Sequence, residues 1–107
     1  MIGLVLVTSF TTPPAFAATT DANLANGAAL FQANCAGCHA GGQNFIKPQK
    51  TLDKQALERY QSLDQGQLQK FVQQGMPHKF TAFKFSADKD YFDVTSYVLD
   101  QALGDKW

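Results

Sequence analysis

Residues 35–39 read Cys35-Ala36-Gly37-Cys38-His39, a C-x-x-C-H run that sets the terms for the rest of the chain. This is the pattern of covalent haem attachment. Two cysteines three apart lie on one side of a helical turn, so both sulfurs reach the two vinyl groups of one porphyrin. The adjacent His39 then aims its imidazole at the iron from the proximal side, and small Ala36 and Gly37 leave room for the macrocycle edge. Three other readings compete. A thioredoxin-like redox pair wants a βαβ context, and none is evident. Zinc would have only Cys35, Cys38, His39 and His78 to draw on, with no second C-x-x-C in support. A structural disulfide across the pair is open to an exported protein.

Iron held by His39 on one side needs a partner on the other. Outside residues 1–17 the chain has one methionine, Met76, in a Gly75-Met76-Pro77 turn rather than on a helical stripe. A thioether is a soft ligand that raises the reduction potential, and His/Met ligation suits electron transfer. The bland use of Met76 is to fill a gap in the core. Its place in a turn counts against that use, and Met76 is expected to be the second axial ligand of the iron. His78, two residues on, is the rival; ligation by two histidines would lower the potential, but an exposed loop histidine is the commoner role. An open sixth position would instead point to a ligand sensor or a peroxidase-like enzyme.

The N-terminus says where such a protein works. Residues 2–10 (IGLVLVTSF) are mostly apolar, Pro13-Pro14 breaks the run, and Ala15-Phe16-Ala17 is a small-x-small cleavage signal. Residues 1–17 are therefore expected to be an export signal, lacking its basic n-region, ahead of one domain over 18–107. That domain is short for a self-sufficient core and gains from a large apolar insert. Nine basic and nine acidic side chains cancel within 107 residues, which fits nucleic-acid binding poorly. No apolar run reaches the roughly 20 residues of a membrane-spanning helix.

The remaining pattern is helical. Asp21 is placed to cap a helix over 22–33 carrying Leu24, Ala28 and Phe31 on one face. Gly41-Gly42 and Pro48 mark a loop over 40–51. Asp53 caps a short helix with Leu57 and Tyr60; another over 64–74 carries Leu68, Phe71 and Val72 and stops at Gly75. An aromatic loop over 76–85 holds Phe80, Phe83 and Phe85. Ser86 is expected to cap the last helix, where Asp88 and Asp90 suit the helix dipole and Gly104 marks the end. Tyr91, Val94, Val98, Leu99, Ala102 and Leu103 form its apolar face. The class is all-α, about four helices around one haem.

The segments NGAALFQANCAGCHAGG (26–42), KTLDKQALERY (50–60) and SYVLDQA (96–102), with Trp107, resemble the cytochrome c6 family over most of 18–107. The resemblance implies a class I cytochrome c fold with one covalently attached haem c. It also implies a one-electron carrier, not an enzyme, of the thylakoid lumen or bacterial periplasm. Its partners would be cytochrome b6f and photosystem I or a terminal cytochrome oxidase, met transiently by a monomer. By the same resemblance Gly27 and Phe31 cross the last helix near Tyr97, and Lys50 meets a haem propionate.

The chain departs from that family where redox properties are tuned. Met76-Pro77 follows Gly75 directly, and Phe80-Thr81-Ala82-Phe83 stands where an M-P-x-F segment would align. The stretch from His39 to Gly75 is about three residues short by the same alignment. Phe71 falls where many members carry a Gln near the haem, and an apolar group there is expected to shift the potential. A divergent c6-like paralogue follows, with a lower-potential carrier outside photosynthesis as the alternative reading.

Overall fold

The computed structural model describes residues 21–61, 63–75, 78, 85 and 87–107. Five helices run through them: α1 (Leu24–Asn34), α2 (Ala36–His39), α3 (Lys54–Tyr60), α4 (Gln65–Gln74) and α5 (Asp88–Leu103). A 3-10 turn over Ala40–Gly42 follows α2, and no strand occurs among the described residues. Four of these helices match the sequence pattern. The fifth, α2, is a single turn that carries Cys38 and His39. The expected export signal (residues 1–17), Met76, Phe80, Phe83 and Ser86 lie outside the described residues.

Helix starts follow side-chain chemistry. The Asp53 and Asp64 carboxylates accept from the backbone N–H of Ala56 and Gln67, opening α3 and α4 as the sequence suggests. At α1 the cap is Asn23, not Asp21: the Asn23 side-chain oxygen accepts from the Asn26 N–H at 2.9 Å. Asp21 sits two residues too early to reach those amides. At α5 the cap position is Ala87, which offers no side-chain acceptor. Asp88 and Asp90 in the first turn supply the favourable negative charge instead.

The frame is the crossing of α1 on α5. Gly27 lies at the crossing, where a Cβ would fall on the Asp93 carbonyl oxygen and 2.8 Å from the Tyr97 Cβ. That closeness explains a glycine in a helix interior, where it otherwise costs about 1 kcal/mol against Ala. Phe31, one turn on, is buried and its ring centre lies 5.5 Å from Tyr97 and 5.3 Å from Trp107. The expected crossing near Tyr97 is thus present. Trp107 closes the same corner: its indole N–H donates to the Leu52 carbonyl at 2.9 Å, and its ring lies over Gly42. Gly42 has a φ of 78° and no room for a side chain under that ring. Leu57, Leu68, Val94, Val98, Leu99 and Ala102 complete the buried core with Phe31.

A buried acid ties the two helices together. Asp93 is 2% exposed. Its carboxylate accepts from the Asn23 N–H at 3.0 Å and the Asn26 amide at 2.9 Å, and pairs with the Lys89 ammonium. Burial opposes its charge, but Lys89 and these two amide donors outweigh it and hold the carboxyl below the usual range. A depressed folded-state pKa contributes stability that is complete above the unfolded value of about 3.9 and disappears as pH falls through the folded one. Asp93→Asn is therefore expected to cost about 1–3 kcal/mol at neutral pH. It should also flatten the acid limb of a plot of Tm against pH; a variant with the wild-type acid limb would contradict this role.

Candidate cofactor site

A cavity of about 520 Å³ opens between α1–α2, α4 and α5, within the roughly 300–1,000 Å³ usual for cofactors and small ligands. Its walls are largely apolar, including Phe31, Leu52, Leu57, Leu68, Val94 and Val98. Cys35, Cys38 and His39 line it together. Cys35 is the C-cap of α1 and leads straight into α2, so the motif is presented by a helix end, not by a free loop.

The chemistry of the motif residues separates the competing readings. Burial, helped by the neighbouring Cys38, pushes the Cys35 thiol up to about 11. An activated redox pair needs the opposite shift, toward thiolate. Among the described residues no cluster of three or more His, Cys, Asp or Glu is placed to hold a metal ion. His39 Nδ1 lies 2.8 Å from the Gln43 carbonyl oxygen. A carbonyl only accepts, so Nδ1 carries the proton and Nε2 keeps its lone pair. Burial lowers the His39 pKa and the Gln43 bond partly offsets it, which favours the neutral imidazole that a metal requires. Two thiols and an oriented neutral imidazole on the wall of an apolar cavity of this size fit a haem c.

The other expected site residues fall as follows. Lys50 lines the cavity, and its ammonium lies 5.2 Å over the Tyr60 ring. Phe71 also lines it, on α4, with its ring edge-on to His78 at 5.0 Å between centres. His78 is itself a wall residue, and its ring centre stands 6.3 Å from that of His39. Met76 is outside the described residues. The sequence reading did not anticipate Gln43. Its contribution is a backbone carbonyl, which no side-chain pattern announces.

A family model described as cytochrome c oxidase, cbb3-type, subunit III matches residues 22–98. The cytochrome c6 of Thermosynechococcus vestitus is 42% identical over 102 residues, spanning 94% of this chain and 86% of the relative. The chain belongs to the cytochrome c6 family. The cytochrome c6 of Cyanidioschyzon merolae agrees, at 44% identity over 81 residues, 76% of this chain and 77% of that one. The crystal structure of cytochrome c6 from the diatom Phaeodactylum tricornutum matches with a TM-score of 0.66 and 36% identity. It covers 77% of this chain and 97% of the diatom protein. Membership of the cytochrome c6 family brings the class I cytochrome c fold, a covalently attached haem c and the role of an electron carrier in photosynthesis, not an enzyme. No helix among the described residues is long and apolar enough to cross a membrane.

Proposed function

We propose that Cys35 and Cys38 bind the haem through two thioethers, that His39 is its proximal ligand, and that the chain shuttles single electrons between membrane redox complexes. The observation carrying this is the C-x-x-C-H motif lying on the wall of an apolar, cofactor-sized cavity. When bound, the haem supplies an iron that changes by one charge unit, and the polypeptide's work is to keep that change inexpensive. Apolar walls exclude water, and His39, locked by the Gln43 carbonyl, holds one orientation in both oxidation states. Lys47 and Lys50 on the cavity wall supply positive charge for the haem propionates. Met76 is the candidate for the sixth position, with His78 as the rival.

The working surface follows from exposure. Phe45 and Ile46 are 64% and 62% exposed, just beyond the motif, and Ile46 also borders the cavity. Two large exposed apolar side chains, one of them bordering the cavity, give a partner a contact free of charge. Equal numbers of acidic and basic residues leave little long-range steering. Weak, brief encounters with small interfaces result, as redox partners need. The partners in this reading are cytochrome b6f as donor and photosystem I or a terminal oxidase as acceptor. The compartment is the thylakoid lumen or periplasm, reached by the soluble domain after residues 1–17 are removed.

Flash photolysis tests the assignment. The reduced holoprotein is expected to re-reduce flash-oxidised photosystem I in a second-order reaction that depends weakly on salt. A Phe45→Ser, Ile46→Ser variant should slow it about tenfold or more if the apolar patch is a binding hot spot. No reaction with photosystem I, alongside rapid reaction with an oxidase, would move the carrier out of the photosynthetic chain.

A further inference from the structure

Phe45 and Ile46 are the two most exposed large apolar side chains among the described residues, yet the loop that carries them is closely bonded. One side chain closes it. Asn44 Oδ1 accepts from the Ile46 N–H at 3.0 Å and the Lys47 N–H at 2.8 Å, and Asn44 Nδ2 donates to the Lys50 carbonyl at 2.9 Å. The Lys50 N–H returns to the Lys47 carbonyl at 2.8 Å. Both shoulders of the loop are fixed to the motif region. The Phe45 N–H donates to the Cys38 carbonyl at 2.9 Å, and the Leu52 N–H to the Gly42 carbonyl at 2.7 Å. The three Asn44 bonds all end within residues 44–50, so they shape the loop and not the α1–α5 frame.

The loop so shaped has two faces. Phe45 and Ile46 stand in solvent, while Asn44, Lys47 and Lys50 line the cofactor cavity. Exposed apolar side chains gain by folding back onto apolar surface, and a loop free to move would let them. A contact surface fixed before encounter spares the partner the cost of ordering it. We propose that Asn44 is a positioning residue for electron exchange: it holds residues 44–50 in the shape that offers Phe45 and Ile46 to a redox partner at the edge of the cofactor cavity. Its basis is the reading of that pair as the contact surface.

The test sets two oxidants against the reduced holoprotein. Photosystem I, or the terminal oxidase where that is the partner that reacts, needs the contact surface; ferricyanide, a small anion, does not. In Asn44→Ala the ratio of the partner rate to the ferricyanide rate is expected to fall about tenfold, as for loss of an interface hot spot. Amide hydrogen exchange should quicken at Ile46 and Lys47 and stay slow in α1 and α5. Asn44→Ala combined with Phe45→Ser, Ile46→Ser should be no slower than Phe45→Ser, Ile46→Ser alone, because Asn44 acts through that pair. An unchanged ratio in Asn44→Ala would overturn the proposal, as would a further loss in the combined variant. If Phe45→Ser, Ile46→Ser itself kept the wild-type ratio, the contact surface would lie elsewhere and the role of Asn44 would fall with it.

Discussion

A Cys35→Ala, Cys38→Ala double variant is expected to carry no covalent haem and to lose cooperative thermal unfolding altogether. The reason lies in where the cavity sits. Its wall is built from Phe31, Leu57, Leu68, Val94 and Val98, which are also core residues. Without the haem these side chains face a water-filled cleft, and each large apolar group left exposed forgoes about 1.5–3 kcal/mol of burial. The whole stability of a domain this size is about 5–15 kcal/mol. A few such side chains are enough to remove it. Circular dichroism melting with mass spectrometry checks this; a haem-free variant that still melted sharply would show that the helices support themselves.

Gly27→Ala is expected to destabilise the holoprotein by about 2 kcal/mol, lowering Tm on the order of 10 °C. Alanine normally stabilises a helix interior by about 1 kcal/mol relative to glycine. Here the new methyl would overlap the Asp93 carbonyl oxygen and sit 2.8 Å from the Tyr97 Cβ. Neither is the free end of a flexible side chain, so α1 and α5 must separate. Separation would also stretch the bonds from Asn23 and Asn26 to Asp93. Gly66→Ala is the matching control. Its Cβ would meet only Asp64 Oδ2, at 3.7 Å, so the helix gain should survive and Tm should hold or rise. Equal melting behaviour in the two variants would contradict the close-approach account of Gly27.

Much of this architecture is legible in the sequence because its causes are local. Asp53 and Asp64 precede their helices at the spacing a cap requires, and Gly75 and Gly104 end theirs. The haem motif is five consecutive residues whose chemistry explains their spacing. The first cap was displaced from Asp21 to Asn23 because both are good capping residues two positions apart, and only the backbone decides between them. Asp93 is different in kind. It reads as one more acid on a helix, and its partners Asn23 and Asn26 come from the far end of the chain. His78 belongs to the same class: its distance from His39 is a fact of tertiary folding that no periodicity encodes.

The α1–α5 crossing has a consequence for how such a carrier can change over time. Its bonds and contacts use Asn23, Asn26, Gly27, Phe31, Asp93 and Tyr97, all from outside the stretch between Gly75 and Ala87. The part of the fold that fixes how α1 meets α5 can therefore be kept while the 76–86 stretch varies in sequence. The limit on that freedom is Phe85, whose ring packs on Tyr91 of α5 and whose N–H donates to the Tyr91 hydroxyl.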